Sequence, residues 1–158
     1  EKQVFLANPD MQPELDNKSY VVLRQLKPSA RFDIIHELRE LGVVPTSMID
    51  CSDGLASEII HLCNASGLGA RIFEKNIPID DETYLAATEF SLSPLTAALN
   101  GGEDYELLFT VSQEDFPKVE KIADVTAIGY MTNIAKERVM VMKSDAIVDL
   151  TAPGFGKA

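Results

Sequence analysis

Cysteine is scarce. The 158-residue chain holds two, Cys51 and Cys63. Neither sits in a Cys-x-x-Cys pair or in the dense framework of a secreted, disulfide-stapled domain. A reducing, cytoplasmic setting is therefore expected. Long apolar runs are missing too. None reaches the ~18 residues a membrane helix needs, and no signal peptide is expected, so no membrane role is expected. Basic residues are few: 14 Lys and Arg against 25 Asp and Glu, a formal charge of −11. A field of that sign repels phosphate backbones and argues against nucleic acid as a partner. The two histidines, His36 and His61, lie in no ligand motif and read as surface residues. No Walker-type G-x-x-x-x-G-K-[ST] run occurs, which excludes a P-loop. There is no internal repeat, low-complexity tract or internal linker.

What remains suffices for one folded unit. Hydrophobic residues make up 46% of the chain, ordinary for a globular protein. A chain of this length hides roughly 70% of its unfolded surface without a covalent staple. The chain opens at Glu1, and residues 1–8 read as the tail of a helix stopped before Pro9. The expectation is a piece of a longer protein, the alternative being a processed start.

The apolar period then marks elements in turn. A helix is expected over residues 15–26, with Leu15, Val22, Leu23 and Leu26 on one face and Pro28 as its stop. Arg24, Lys27 and Arg31 form a small basic cluster, either meeting a phosphate or standing as helix-end charges in solvent. Residues 32–41 repeat Ile34, Ile35, Leu38 and Leu41 before Gly42, an amphipathic helix with a glycine stop. Residues 46–49 fit a buried strand. Leu55, Ile59, Leu62 and Cys63 follow at helical spacing up to Gly67. Residues 70–73 are a short strand, and strand–helix–strand suggests an α/β unit. Helices are expected over 82–90, 94–99 and 113–122. Strands are expected late in the 100–111 run, over 125–130, 139–142 and 146–150. The expected fold class is α/β (α+β): one domain with a mixed β-sheet and packed helices.

Two stretches carry chemistry. Asp50-Cys51-Ser52-Asp53-Gly54 runs from a strand through a tight turn into a helix N-terminus. Unpaired backbone N–H groups are offered there. Mg²⁺ keeps several waters and takes one or two carboxylates plus substrate phosphates. Asp50 and Asp53 can supply the carboxylates, Ser52 can donate to a phosphate oxygen, and Gly54 lets the chain come close. The same five residues also read as an ordinary helix start, with Ser52 or Asp53 as N-cap. The second stretch is Gly101-Gly102-Glu103-Asp104. Its paired glycines allow close backbone approach or positive φ. Glu103, at a strand entrance, can match a ring nitrogen and its amino group by paired hydrogen bonds. The alternative is a charged turn before a strand.

Together, Asp-x-Ser-Asp-Gly-Leu and Gly-Gly-Glu-Asp-Tyr-Glu-Leu-Leu-Phe resemble the thiamine-monophosphate kinases of the aminoimidazole ribonucleotide synthetase superfamily. Gln3-Val4-Phe5-Leu6 and Leu26-Lys27-Pro28 are similar to that family's interdomain helix and the entry to its C-terminal domain. The resemblance therefore implies residues 1–26 as an interdomain helical segment and 27–158 as the C-terminal domain. It implies ATP-dependent phosphorylation of thiamine monophosphate to thiamine diphosphate. By position it implies Asp50 and Asp53 as Mg²⁺ ligands, Ser52 as an ATP contact, and Glu103 and Phe155 as substrate contacts. The family setting of that aromatic, Gly-aromatic-Asp-His-Phe, is incomplete here, where Gly156-Lys157-Ala158 follow. The family's N-terminal half supplies further acidic ligands and forms a homodimer. A fragment without it is expected to fold and not turn over. Two alternatives are another ATP-using superfamily member that activates an amide or acid, and a non-catalytic ligand-binding module.

Overall fold

The computed structural model describes residues 18–152. Residues 1–17 and 153–158, including the expected N-terminal helix, Leu15 and Phe155, lie outside the described residues. Six α-helices and six strands occur within them. No helix among them is long and apolar enough to cross a membrane.

Helix α1 spans Ser19–Leu26 and α2 spans Phe32–Glu40. Only Ile34 and Leu38 of the α2 repeat are buried, whereas Ile35 and Leu41 are exposed. The α2 terminus forms a Schellman motif. Gly42 takes φ +65, its N–H donates to the Arg39 carbonyl, and the Val43 N–H donates to the Leu38 carbonyl. The left-handed turn favours a residue without a Cβ. It returns Val43 to the same apolar cluster as Leu38.

Strand β1 (Ser47–Asp50) pairs antiparallel with β3 (Leu107–Thr110), Asp50 facing Leu107. These two make a sheet of their own. The other sheet holds β2 (Gly69–Phe73), β4 (Gly129–Thr132), β5 (Arg138–Val141) and β6 (Ile147–Asp149), in the order β4-β2-β5-β6. Its β2–β5 pair is parallel and the rest antiparallel, so the sheet is mixed. Two expectations are corrected here. β1 is not a buried strand, because it alternates half-buried and exposed along a two-stranded ribbon. β1 and β2 also lie in different sheets, so the strand–helix–strand run is no single-sheet α/β unit.

Helix α3, Leu55–Ser66, joins them. Ala56, Ile59, Ile60 and Cys63 fall at i, i+3, i+4 and i+7 and are all buried. They pack with Ala70 and Ile72 of β2 and Met140 of β5. Full burial of each large aliphatic side chain is worth about 1.5–3 kcal/mol, so this stripe fixes α3 on the larger sheet. Helix α4 (Asp81–Glu89) has Asp80 as N-cap, accepting from the Glu82 N–H. Helix α5 (Pro94–Asn100) has Ser93 as N-cap and Pro94 in its first turn, the position where a missing N–H costs nothing. It runs directly into Gly101-Gly102. A single helical turn, α6, covers Phe116–Val119, much less than the expected 113–122.

Candidate functional site

The site grows from the end of β1. Beyond Asp50 the two strands stop pairing as a regular sheet, yet their backbones stay laced. The Cys51 N–H donates to the Glu106 carbonyl at 2.8 Å, the Tyr105 N–H to the Cys51 carbonyl at 2.9 Å, and the Glu103 N–H to the Ser52 carbonyl at 2.8 Å. This clasp unites the two motifs that the sequence had singled out separately.

Glycines make the approach possible. A Cβ on Gly102 would lie 2.4 Å from the Ser52 carbonyl oxygen, and one on Gly101 2.5 Å from that of Ala97. Gly54 takes φ +111, and a Cβ there would meet the Leu99 carbonyl at 2.8 Å. The last turn of α5 therefore abuts the entry to α3. Gly101 and Gly102 serve close approach alone. Positive φ falls instead on Glu103 (φ 69) and Tyr105 (φ 52), side-chain-bearing residues for which the left-handed region is costly.

The helix start differs from the ordinary-cap reading. Gly54 is the N-cap and no side chain caps it. Neither Ser52 nor Asp53 has that task. Instead Glu58, buried one turn into α3, accepts the Asp53 N–H at 3.0 Å. Glu58 reaches back in the manner of a capping box, displaced by one residue, which is why the motif spacing did not reveal it.

Asp50, Asp53 and Glu103 are exposed and Ser52 is half-buried. Among the described residues, no hydrogen bond or ion pair engages the Asp50 or Asp53 carboxylate. The Tyr105 hydroxyl donates to Glu103 Oε2 at 2.7 Å. That bond, followed by the Glu103 charge, partial burial and the fields of Asp50 and Asp53, raises the Tyr105 pKa above its ordinary value. Glu103, Asp50 and Asp53 thus all act on one phenol in the same direction. Asp104, half-buried behind them, is pushed up chiefly by desolvation; Arg24 opposes the shift and Glu106 adds to it. Burial pushes the Cys51 thiol up to about 12, aided by Glu58, Asp104, Glu106 and Asp50. Cys51 is a packing residue with no reactive thiolate.

The basic cluster takes neither of its expected roles in full. Arg24 pairs with Glu106 and donates to the Asp104 carbonyl. Arg31 pairs with the other Glu106 oxygen at 2.6 Å, with Asp33 at 2.8 Å and with Asp124 at 3.3 Å. Both guanidiniums are turned to protein carboxylates, while Lys27 is exposed. Their partner Glu106 lies about eighty residues away, so no local pattern announced it. His36 is exposed against Glu40, and His61 is exposed.

The donor set suits a hard cation shared with a ligand. Two free carboxylates stand at one corner, and among the described residues no group of three or more acid, histidine or cysteine side chains is placed to hold a metal by itself.

Comparison with known proteins gives a consistent result. Residues 12–142 match the family model described as AIR synthase related protein, C-terminal domain. The chain is 33% identical over 154 residues to a thiamine-monophosphate kinase of Buchnera aphidicola subsp. Schizaphis graminum, covering 94% of this chain and 44% of that protein. It is 39% identical over 127 residues to a thiamine-monophosphate kinase of Escherichia coli K12, covering 80% and 36%. Among solved structures it is similar to AaThiL complexed with AMPPCP and TMP. The TM-score is 0.68 and the identity 26%, covering 89% of this chain and 42% of the other. The chain spans less than half the length of the curated relatives it matches.

Proposed function

The chain belongs to the AIR synthase related family, in that family's C-terminal domain, and from this we propose that it is part of an ATP-dependent thiamine-monophosphate kinase. Residues 27–158 form its C-terminal α/β domain and residues 1–26 the segment leading in from another half. The observation that carries the reading is the clasp. It joins the Cys51–Ser52 backbone to that of Glu103, Tyr105 and Glu106, which supports a shared rim for Asp50, Ser52, Asp53 and Glu103, and the relatives sharing this stretch are named for that activity.

In this reading Asp50 and Asp53 hold Mg²⁺, Ser52 donates to the nucleotide, and Glu103 accepts from the aminopyrimidine of thiamine monophosphate. Phe155 is retained as a substrate contact from the sequence resemblance. The acceptor is already a phosphate oxyanion, so no general base is needed, and the Cys51 thiol at the clasp is buried. The difficulty is repulsion between two anions facing an acidic rim. Arg24 and Arg31, committed to Glu106, do not relieve it. Bound Mg²⁺ supplies charge neutralisation and alignment for in-line transfer. The chain's own residues fix the corner, orient the ligand oxygens and hold the substrate ring. A cytoplasmic location and a homodimer formed through the missing half belong to the same proposal.

The test is direct. The full-length protein, given ATP, Mg²⁺ and thiamine monophosphate, should form thiamine diphosphate, and residues 1–158 alone should not. Full-length protein that consumes ATP with an amide or acid and leaves thiamine monophosphate untouched would refute the assignment. Turnover by the isolated chain would refute the half-site reading.

A further inference from the structure

Tyr105 has no place in the mechanism above, yet three independent features converge on it. Its backbone sits at φ 52, two residues after Glu103 at φ 69. Left-handed conformations at residues with a Cβ persist where the surroundings over-determine them, and they gather at binding sites. Here the surroundings are the clasp bonds from the Glu103 and Tyr105 N–H groups to the Ser52 and Cys51 carbonyls. The side chain then bridges back to its neighbour, the hydroxyl donating to Glu103 Oε2 at 2.7 Å. Tyr105 is half-buried as a residue while Glu103 is exposed, so the tyrosine is the better-fixed member of the pair. An exposed glutamate has three rotatable bonds and no preferred carboxylate plane. The hydrogen bond from the phenol to Oε2 restricts the carboxylate and leaves Oε1 to accept from a ligand.

We propose that Tyr105 is a positioning residue for substrate recognition: its hydroxyl orients the Glu103 carboxylate toward the amino-bearing ring of the phosphorylated substrate. The inference rests on the kinase reading. The strained backbone is the scaffold for this bond. Glu103 and Tyr105 are both left-handed, and their i and i+2 side chains meet across the bend they make.

The experiment uses the full-length protein with Tyr105→Phe, Glu103→Gln and the double variant. Phenylalanine keeps the ring and its packing and deletes only the hydroxyl. KM for thiamine monophosphate should rise about five- to tenfold in Tyr105→Phe, the scale of one ordinary solvent-exposed hydrogen bond lost. KM for ATP should stay within about twofold, a change small beside that of a lost hydrogen bond. The melting temperature should hold. In the Glu103→Gln background the same substitution should add little, because Tyr105 acts through Glu103. An unchanged KM for thiamine monophosphate, equal changes for both substrates, or full additivity in the double variant would each overturn the inference and leave the kinase reading standing. Absence of thiamine diphosphate formation by the unsubstituted protein would overturn both.

Discussion

Gly102→Ala adds one methyl group to the clasp and nothing else. The backbone there lies outside the left-handed region, so alanine carries no conformational penalty and the whole effect is contact. The new Cβ would stand 2.4 Å from the Ser52 carbonyl oxygen and 3.4 Å and 3.5 Å from the Ser52 and Asp53 carbonyl carbons. All three are main-chain atoms, and no rotamer moves them aside. The two motifs must separate by about 0.6 Å to bring that contact to 3.0 Å, and by about 1 Å to reach ordinary packing at 3.4 Å. The Glu103-to-Ser52 bond, now 2.8 Å, is lost first, and its Tyr105 and Cys51 neighbours weaken. At about 1 kcal/mol net per bond, the loss comes to about 2 kcal/mol. For a chain of this size that lowers the melting temperature by roughly 4–8 °C. Displacing Glu103 from the aspartate corner by about 1 Å also lowers turnover of the full-length protein on the order of 10²-fold. Gly42→Ala is the control, with φ +65 and nothing within 4 Å of its Cβ. It should cost about 1–2 kcal/mol of backbone strain and no activity. Thermal unfolding and steady-state kinetics on both variants decide the matter. A Gly102→Ala protein that melts and turns over like the parent would show that the corners are not in contact.

Asp50→Asn combined with Asp53→Asn should leave the melting temperature unchanged or slightly raised. Both side chains are exposed and unpaired in a chain of charge −11, and such surface changes stay within about 0.5 kcal/mol. Turnover of the full-length protein should fall on the order of 10²-fold or more; retained activity would dismiss the metal role. Cys51 should resist a thiol reagent at pH 8 until the chain unfolds. Its folded pKa lies above the ordinary thiol value of 9.0, at about 12. The folded state therefore holds a proton that the unfolded state has released, so this stability is complete below pH 9 and is lost as pH climbs toward 12. Urea unfolding across that window checks the sign. Glu106→Ala leaves Arg24 and Arg31 facing each other without their shared carboxylate. With all three side chains partly exposed, the cost should be about 1–2 kcal/mol by urea unfolding, shrinking in high salt.

What the sequence made legible was local. Helix α3 was visible because Ile59 and Cys63 repeat at helical spacing and Gly67 stops the run. The Asp50–Gly54 and Gly101–Asp104 stretches were visible because acids and glycines interrupt apolar patterning. What the sequence hid was pairing at a distance. Nothing in residues 46–49 says that β1 joins β3 and leaves β2 to the other sheet. Nothing beside Arg24 or Arg31 points to Glu106. The shortened α6 has a local cause that was also missed. The Ser112 hydroxyl accepts from the Asp115 N–H and donates to the Asp115 carboxylate, a turn that competes with helix before Phe116. Pro117 then falls at the helix start. Glu58 escaped notice because its carboxylate caps from inside a buried face, where periodicity assigns apolar residues.

The lacing of Cys51 and Ser52 to residues more than fifty positions onward ties ligand competence to the native state. A partly folded chain carries the same carboxylates, but scattered, and has no rim on which to gather a nucleotide. The amide protons of Cys51, Glu103 and Tyr105 should exchange as slowly as those of the strands they extend. A loop that ordinarily frays here opens only when the ribbon beneath it opens.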